Sequence, residues 1–103
     1  MKDLLAKINP AFEHRNRLAI MALLTANILV EYITLKELLN LTDGNLATHL
    51  KGLESAGYIT IQKRFVGRKP RTTYGATEQG REAFKVHLDA LEALVQMARE
   101  GEE

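Results

Sequence analysis

The chain of 103 residues contains no cysteine and no tryptophan, only two prolines, and a single serine, Ser55. Without thiols, disulfides, thiolate catalysis, iron–sulfur clusters and thiolate metal sensing are all excluded. One serine, no Gly-rich loop leading from a strand into a helix, and acidic residues that stand singly leave no enzyme constellation. Aromatic residues make up 6% of the chain against 46% hydrophobic residues, so the core is expected to be aliphatic. The longest apolar run, residues 18–24, falls far short of the ~20 residues a membrane-spanning helix needs. No segment resembles a signal peptide. The expectation is a cytoplasmic protein that uses neither membrane nor cofactor. His14, His49 and His87 fall in three different helical segments without paired carboxylate spacing, which argues against a metal site.

Another absence is local. Between Glu54 and Glu78 there is no acidic residue, whereas Lys63, Arg64, Arg68, Lys69 and Arg71 give the stretch a charge of +5. Residues 1–54 sum to zero and residues 78–103 to −4, so the net charge of +1 conceals a dipolar chain. A polyanion is the natural partner of the basic stretch.

A chain of this length forms one domain and buries roughly two-thirds of its unfolded surface. Asn9 can cap a helix with Pro10 at its first position, and Phe12, Ala19, Ile20, Leu23 and Leu24 continue a core-facing pattern to about residue 26. Tyr32-Ile33 is a short β-prone pair. Thr34-Leu35-Lys36-Glu37 is a capping-box pattern that predicts a short helix over 35–39. Thr42 can cap a third helix over 43–56, in which Leu46, Leu50 and Leu53 share one buried face and Asn45, Thr48, His49, Lys51 and Gly52 occupy the others. Gly57 suits a left-handed C-cap. Tyr58 to Lys63 then reads as a strand with Thr72 to Ala76 as its partner, and the turn between them holds Gly67 and Pro70 outside the ladder. Thr77 caps a last helix over 78–98. Two adjacent apolar rows run along it, Phe84, Leu88, Leu91, Val95 and Ala98 beside Ala83, His87, Ala90, Leu94 and Met97. One core contact needs only one row, which points to a dimer seam of Phe84, Leu88, Leu91, Leu94 and Val95, joined by Phe12. The tail, residues 99–103, is expected to fray.

The fold class is thus mainly α with a small antiparallel sheet, and its order of elements matches a winged helix-turn-helix with an extended C-terminal helix. The pieces Leu41-Thr42-Asp43-Gly44-Asn45-Leu46, His49-Leu50, Leu53-Glu54, Ala56-Gly57-Tyr58-Ile59, Gly67-Arg68-Lys69-Pro70 and Thr77-Glu78-Gln79-Gly80-Arg81 resemble the small MarR-like/ArsR-like winged-helix transcriptional regulators. The resemblance covers residues 8–94. It implies a homodimer on double-stranded DNA, with the third helix in the major groove and the hairpin, or wing, on the backbone or minor groove. By position, the recognition-helix residues would be Thr42, Gly44, Asn45, Thr48, His49 and Lys51, and the wing residues Lys63, Arg64, Arg68, Lys69 and Arg71. Asp43 is an unusual charge to set against phosphate and suits a dipole or capping role. Repression at a pseudo-palindromic operator follows from the resemblance.

Two rival readings remain at this stage. One is a winged helix that serves as a protein-interaction module, which the fold alone does not distinguish. The other is non-specific architectural or RNA binding. An effector would have room between the last helix and the core, but no motif marks such a pocket.

Overall fold

A computed structural model describes residues 1–101. Five helices and a three-stranded sheet follow in the order α1 (Lys2–Ala6), a 3-10 turn (Pro10–Phe12), α2 (Arg15–Ala26), β1 (Val30–Glu31), α3 (Tyr32–Leu39), α4 (Asp43–Ser55), β2 (Ile59–Val66), β3 (Lys69–Ala76) and α5 (Glu78–Glu100). The sheet is antiparallel in the order β1-β3-β2. Helices α2, α3 and α4 pack against one another and the sheet around Ile20, Met21, Leu24, Leu35, Leu46, Leu50 and Leu53, none more than 2% exposed. The helical periodicity selects Ile20, Leu24, Leu46, Leu50 and Leu53 among them, but not Met21 or Leu35.

The third helix is as the sequence predicts. The Thr42 hydroxyl accepts from the Asn45 amide, and Leu46, Leu50 and Leu53 are its buried residues. Gly57 ends the helix at φ +82°, in the left-handed region that a side chain resists.

Several boundaries differ from the sequence reading. The single helix expected over 10–26 is broken at Glu13-His14. His14 adopts extended backbone and its Nδ1 accepts from the Asn16 amide, so a histidine recaps the chain as α2. The break turns Phe12 inward against Tyr58, Phe84 and His87, with ring centroids 5.1–5.3 Å apart. The short strand is Val30–Glu31 and not Tyr32-Ile33, because Val30 pairs with Tyr74 and is buried by doing so. Helix α3 therefore starts at Tyr32, and the capping-box residues Thr34 and Glu37 are exposed positions inside it. Pro70 lies within β3, opposite Phe65. In a two-residue hairpin the pair beside the turn exchanges hydrogen bonds and the next does not, so the missing amide hydrogen of Pro70 costs the ladder nothing. Helix α5 continues to Glu100, two residues past the expected end. The fraying expected of the tail concerns in part Glu102 and Glu103, which lie outside the described residues.

Helix α5 is 23 residues long, about 35 Å at 1.5 Å per residue. Its first half lies on the body through Gly80, Phe84, His87 and Ala90. The Arg81 guanidinium donates to the carbonyls of Thr25, Leu24 and Asn27, which satisfies the open end of α2. At the other end of the chain, His87 Nδ1 accepts the Asn9 amide at 2.9 Å and Asn9 Nδ2 donates to the Tyr58 hydroxyl. The N-terminal segment is thereby tied to α5.

Candidate nucleic-acid interface

Burying Leu46, Leu50 and Leu53 turns the opposite side of α4 to solvent. Gly44, Asn45, Thr48 and Lys51 are all exposed there. No atom lies within 4 Å of where a Cβ on Gly44 would stand, so the first turn is open to a large partner. Thr42 is occupied as the cap, so its hydroxyl is already bonded within the helix. Only the backbone amide of Asn45 takes part in that cap, and its side-chain amide has no intrachain partner among the described residues. The Thr48 hydroxyl donates back to the Gly44 carbonyl at 2.9 Å, which leaves its methyl group facing outward.

Asp43 points away from this surface. It accepts from the Tyr32 hydroxyl at 2.7 Å and pairs with Lys36 at 3.1 Å, tying the start of α4 to α3. The Tyr32 hydrogen bond, then Lys36, hold its carboxyl below the usual carboxylate range. The same bond is the main reason that the Tyr32 hydroxyl is pushed up to about 12. Asp43 thus links the two helices of the helix-turn-helix.

On the other flank of α4, His49 is half-buried against α2. Its Nδ1 accepts from Arg17 Nε at 3.2 Å, and its ring centroid lies 4.3 Å from that of His14. Burial, followed by the charges of His14 and Arg17, lowers the His49 pKa. Two histidines that the sequence places on separate helices are therefore neighbours. No group of three His, Cys, Asp or Glu able to hold a metal occurs among the described residues.

The hairpin is long and regular. Val66 pairs with Lys69 across a turn of Gly67 and Arg68, in which Gly67 has φ +65°. A positive φ at the first turn residue alone is the type II′ geometry, whose twist matches paired strands. Cross-strand partners share a face, so Arg64 and Arg71 stand side by side, an unfavourable pairing of like charges. Glu31 of β1 relieves it, accepting from Arg71 Nη1 at 2.7 Å. Arg71 is thus engaged within the protein, whereas Lys63, Arg64, Arg68 and Lys69 are exposed with no carboxylate in salt-bridge range among the described residues. Phe65 is 74% exposed near the tip, beside Pro70. A cleft of about 360 Å³ separates this hairpin from the start of α3 and is lined by Tyr32, Ile33, Lys69 and Pro70 among others.

The residues assigned to the seam divide. Phe12 and Phe84 are 1% and 3% exposed and belong to the protomer's own core, so neither has surface to offer a partner. Leu88 and Val95 are exposed at 42% and 48%, and Leu91 and Leu94 are half-buried. Leu5 and Met97 are exposed as well; the sequence reading placed Met97 in the second row of α5 and did not include Leu5. It also passed over Arg17 and Tyr32, whose roles depend on contacts between helices.

A helix-turn-helix whose second helix shows a polar face, followed by a basic hairpin, is the arrangement of a winged helix. Comparison with known proteins agrees. Residues 16–95 match the family model of the winged helix DNA-binding domain, and the chain belongs to that family. It is 43% identical over 72 residues to an uncharacterised protein of Methanocaldococcus jannaschii, a match covering 70% of this chain and 78% of that one. Among solved structures, a transcriptional regulator homologue from Pyrococcus horikoshii OT3 superposes with a TM-score of 0.86 at 28% identity, covering 95% of this chain and 98% of the other. A MarR-family protein from Porphyromonas gingivalis W83 shares the fold, with a TM-score of 0.61 at 23% identity over 90% of this chain and 83% of that one. No helix among the described residues is long and apolar enough to cross a membrane.

Proposed function

We propose that the protein is a dimeric, sequence-specific regulator of transcription that binds a pseudo-palindromic operator and represses by occupying it. The observation that carries this reading is one surface: the exposed side of α4 beside a hairpin with four unpaired cations, Lys63, Arg64, Arg68 and Lys69. In this reading Asn45, Thr48 and Lys51 face base edges and the wing cations face phosphates, the usual division between specifying and positioning contacts. Membership of the winged helix DNA-binding family and the likeness to a regulator homologue support it. A protein-interaction module has no use for four free cations without an acid among them.

The dimer would use the apolar surface of α5, with Leu88, Leu91, Leu94 and Val95 as its seam. Two copies of α4 spaced about 34–36 Å apart would enter successive major grooves. The wings of two protomers would neutralise about eight phosphates, so log affinity should fall against log salt with a slope near −7 from the wings alone.

Selection of random duplex DNA by the purified protein at near-physiological salt, with mass determination of the complex, tests the proposal. A two-fold motif bound by two chains is the expected result. Tight, salt-sensitive binding without a motif would replace it with an architectural role, and no binding to any duplex would overturn it.

A further inference from the structure

Arg17 is a cation without an anion. Its Nε donates to His49 Nδ1, and the rest of its guanidinium lies against α4 at Gly52. A Cβ on Gly52 would stand 2.6 Å from Arg17 Nη2, 2.7 Å from Cζ and 2.9 Å from Nη1. Glycine in a helix interior is costly relative to alanine, so the helix gives up stability where the guanidinium rests. No carboxylate pairs with Arg17 and neither Nη group has an acceptor among the described residues.

His14 Nδ1 accepts from the Asn16 amide and His49 Nδ1 accepts from Arg17. A neutral imidazole that accepts at Nδ1 carries its proton on Nε2, so both rings have only donors left to offer. Asn45, His49 and Gly52 occupy one flank of α4 by their spacing, and Asp43, Ala47 and Glu54 the other. The flank that Arg17 covers has no acid. Donors without acceptors, fixed by a histidine and seated on a bare backbone, are organised for an oxyanion.

We infer that Arg17 binds a backbone phosphodiester of DNA flanking the major groove, held in place by His49 as a positioning residue and by the absence of a side chain at Gly52. This rests on the DNA-binding reading above and adds one phosphate contact per protomer outside the wing.

The test uses the full chain and a duplex selected by the wild type. Arg17→Ala should reduce the salt slope by about 0.9 per protomer, and the advantage of the wild type should shrink about tenfold between 50 and 200 mM salt for a dimer. The loss should be equal on operator and random duplex, because phosphate carries no sequence. Gly52→Ala separates binding from folding. It should raise the melting temperature and weaken DNA binding together, since the methyl group favours the helix and displaces the guanidinium.

A duplex with one methylphosphonate per half-site, scanned along the backbone, should weaken the wild type at one position and leave Arg17→Ala indifferent there. Inorganic phosphate, exchanged for chloride at equal ionic strength, should not shift the Arg17 and His49 side-chain resonances of the free protein. A saturable shift would assign the site to free phosphate and overturn the clamp. So would an unchanged slope in Arg17→Ala, or tighter binding by Gly52→Ala. If the wild type itself binds no duplex, the DNA reading fails before the clamp is tested.

Discussion

Gly80 is where the angle of α5 is decided, and Gly80→Ala tests that packing directly. A Cβ there would stand 2.1 Å from the Tyr58 carbonyl oxygen and 2.8 Å from its carbon. An ordinary carbon–oxygen contact is about 3.4 Å, so the two segments must separate by more than about 1 Å. The obstacle is backbone, and it is held from both sides. The Tyr58 carbonyl accepts the Thr77 amide at 3.0 Å, and the Thr77 hydroxyl donates to the Gly57 carbonyl at 2.7 Å. Overpacking a rigid site costs on the order of 3 kcal/mol, and the better helix propensity of alanine returns about 1 kcal/mol at most. A net loss of ~2 kcal/mol lowers the melting temperature of a domain this size by roughly 8–16 °C. Calorimetry at one fixed protein concentration measures it, because the proposed dimer would make the transition concentration-dependent. Gly44→Ala is the control: open space surrounds it, and stability should rise by up to about 1 kcal/mol. A Gly80→Ala protein that melts at or above the wild-type temperature would refute the account of this crossing.

Thr42→Ala removes the hydroxyl that accepts the Asn45 amide, and should cost about 1 kcal/mol of stability. Asn45→Ala should leave the melting temperature unchanged but lose discrimination at one base pair, about 1–3 kcal/mol in competition binding; unchanged base preference would show that its amide reads nothing. Burial lowers the His87 pKa from its ordinary 6.5. The unfolded chain then takes up the proton first, so this contribution to stability is complete above pH 6.5 and is lost as pH falls through the lower folded value. His49 is shifted the same way and adds to the loss. His87→Asn, which keeps an acceptor for Asn9, should flatten part of the decline in melting temperature between about pH 7.5 and 5, and an unaltered decline would remove His87 as its source. Leu88→Glu with Val95→Glu places charges on the exposed side of α5 and should give monomers by sedimentation. A persisting dimer would move the seam elsewhere.

The elements nearest the proposed interface are the most legible in the sequence, because their signals are local. Thr42 and Gly57 act through neighbours in the same helix, and the leucines at 46, 50 and 53 mark its buried face by their spacing alone. The run Thr77-Glu78-Gln79-Gly80-Arg81 is legible as a pattern, but its reasons lie elsewhere in the chain. Thr77 caps α5 and ties it to Gly57, Gly80 admits the Tyr58 carbonyl, and Arg81 closes the end of α2. Where the sequence misleads, a local signal is overruled by a distant contact. The capping box at Thr34 yields to the pairing of Val30 with Tyr74 and to the reach of Tyr32 to Asp43.

The seam shows the limit most plainly. Periodicity along α5 reveals how many apolar rows there are, but not what covers each. Gly80, Phe84, His87 and Ala90 form a stripe that the protomer itself covers. Leu88 and Val95 remain exposed beside and beyond it. Phe84 and Leu88 share a row in sequence, yet only Phe84 is buried, with Phe12 of the 3-10 turn packed against it. Asn9 caps that turn and His14, a residue type with little reputation as a cap, starts α2 after it, which sets Arg17 in the first turn of α2, within reach of α4. One short-range departure from the expected helix thus bears both on which apolar residues of α5 stay exposed and on which cation lies beside α4.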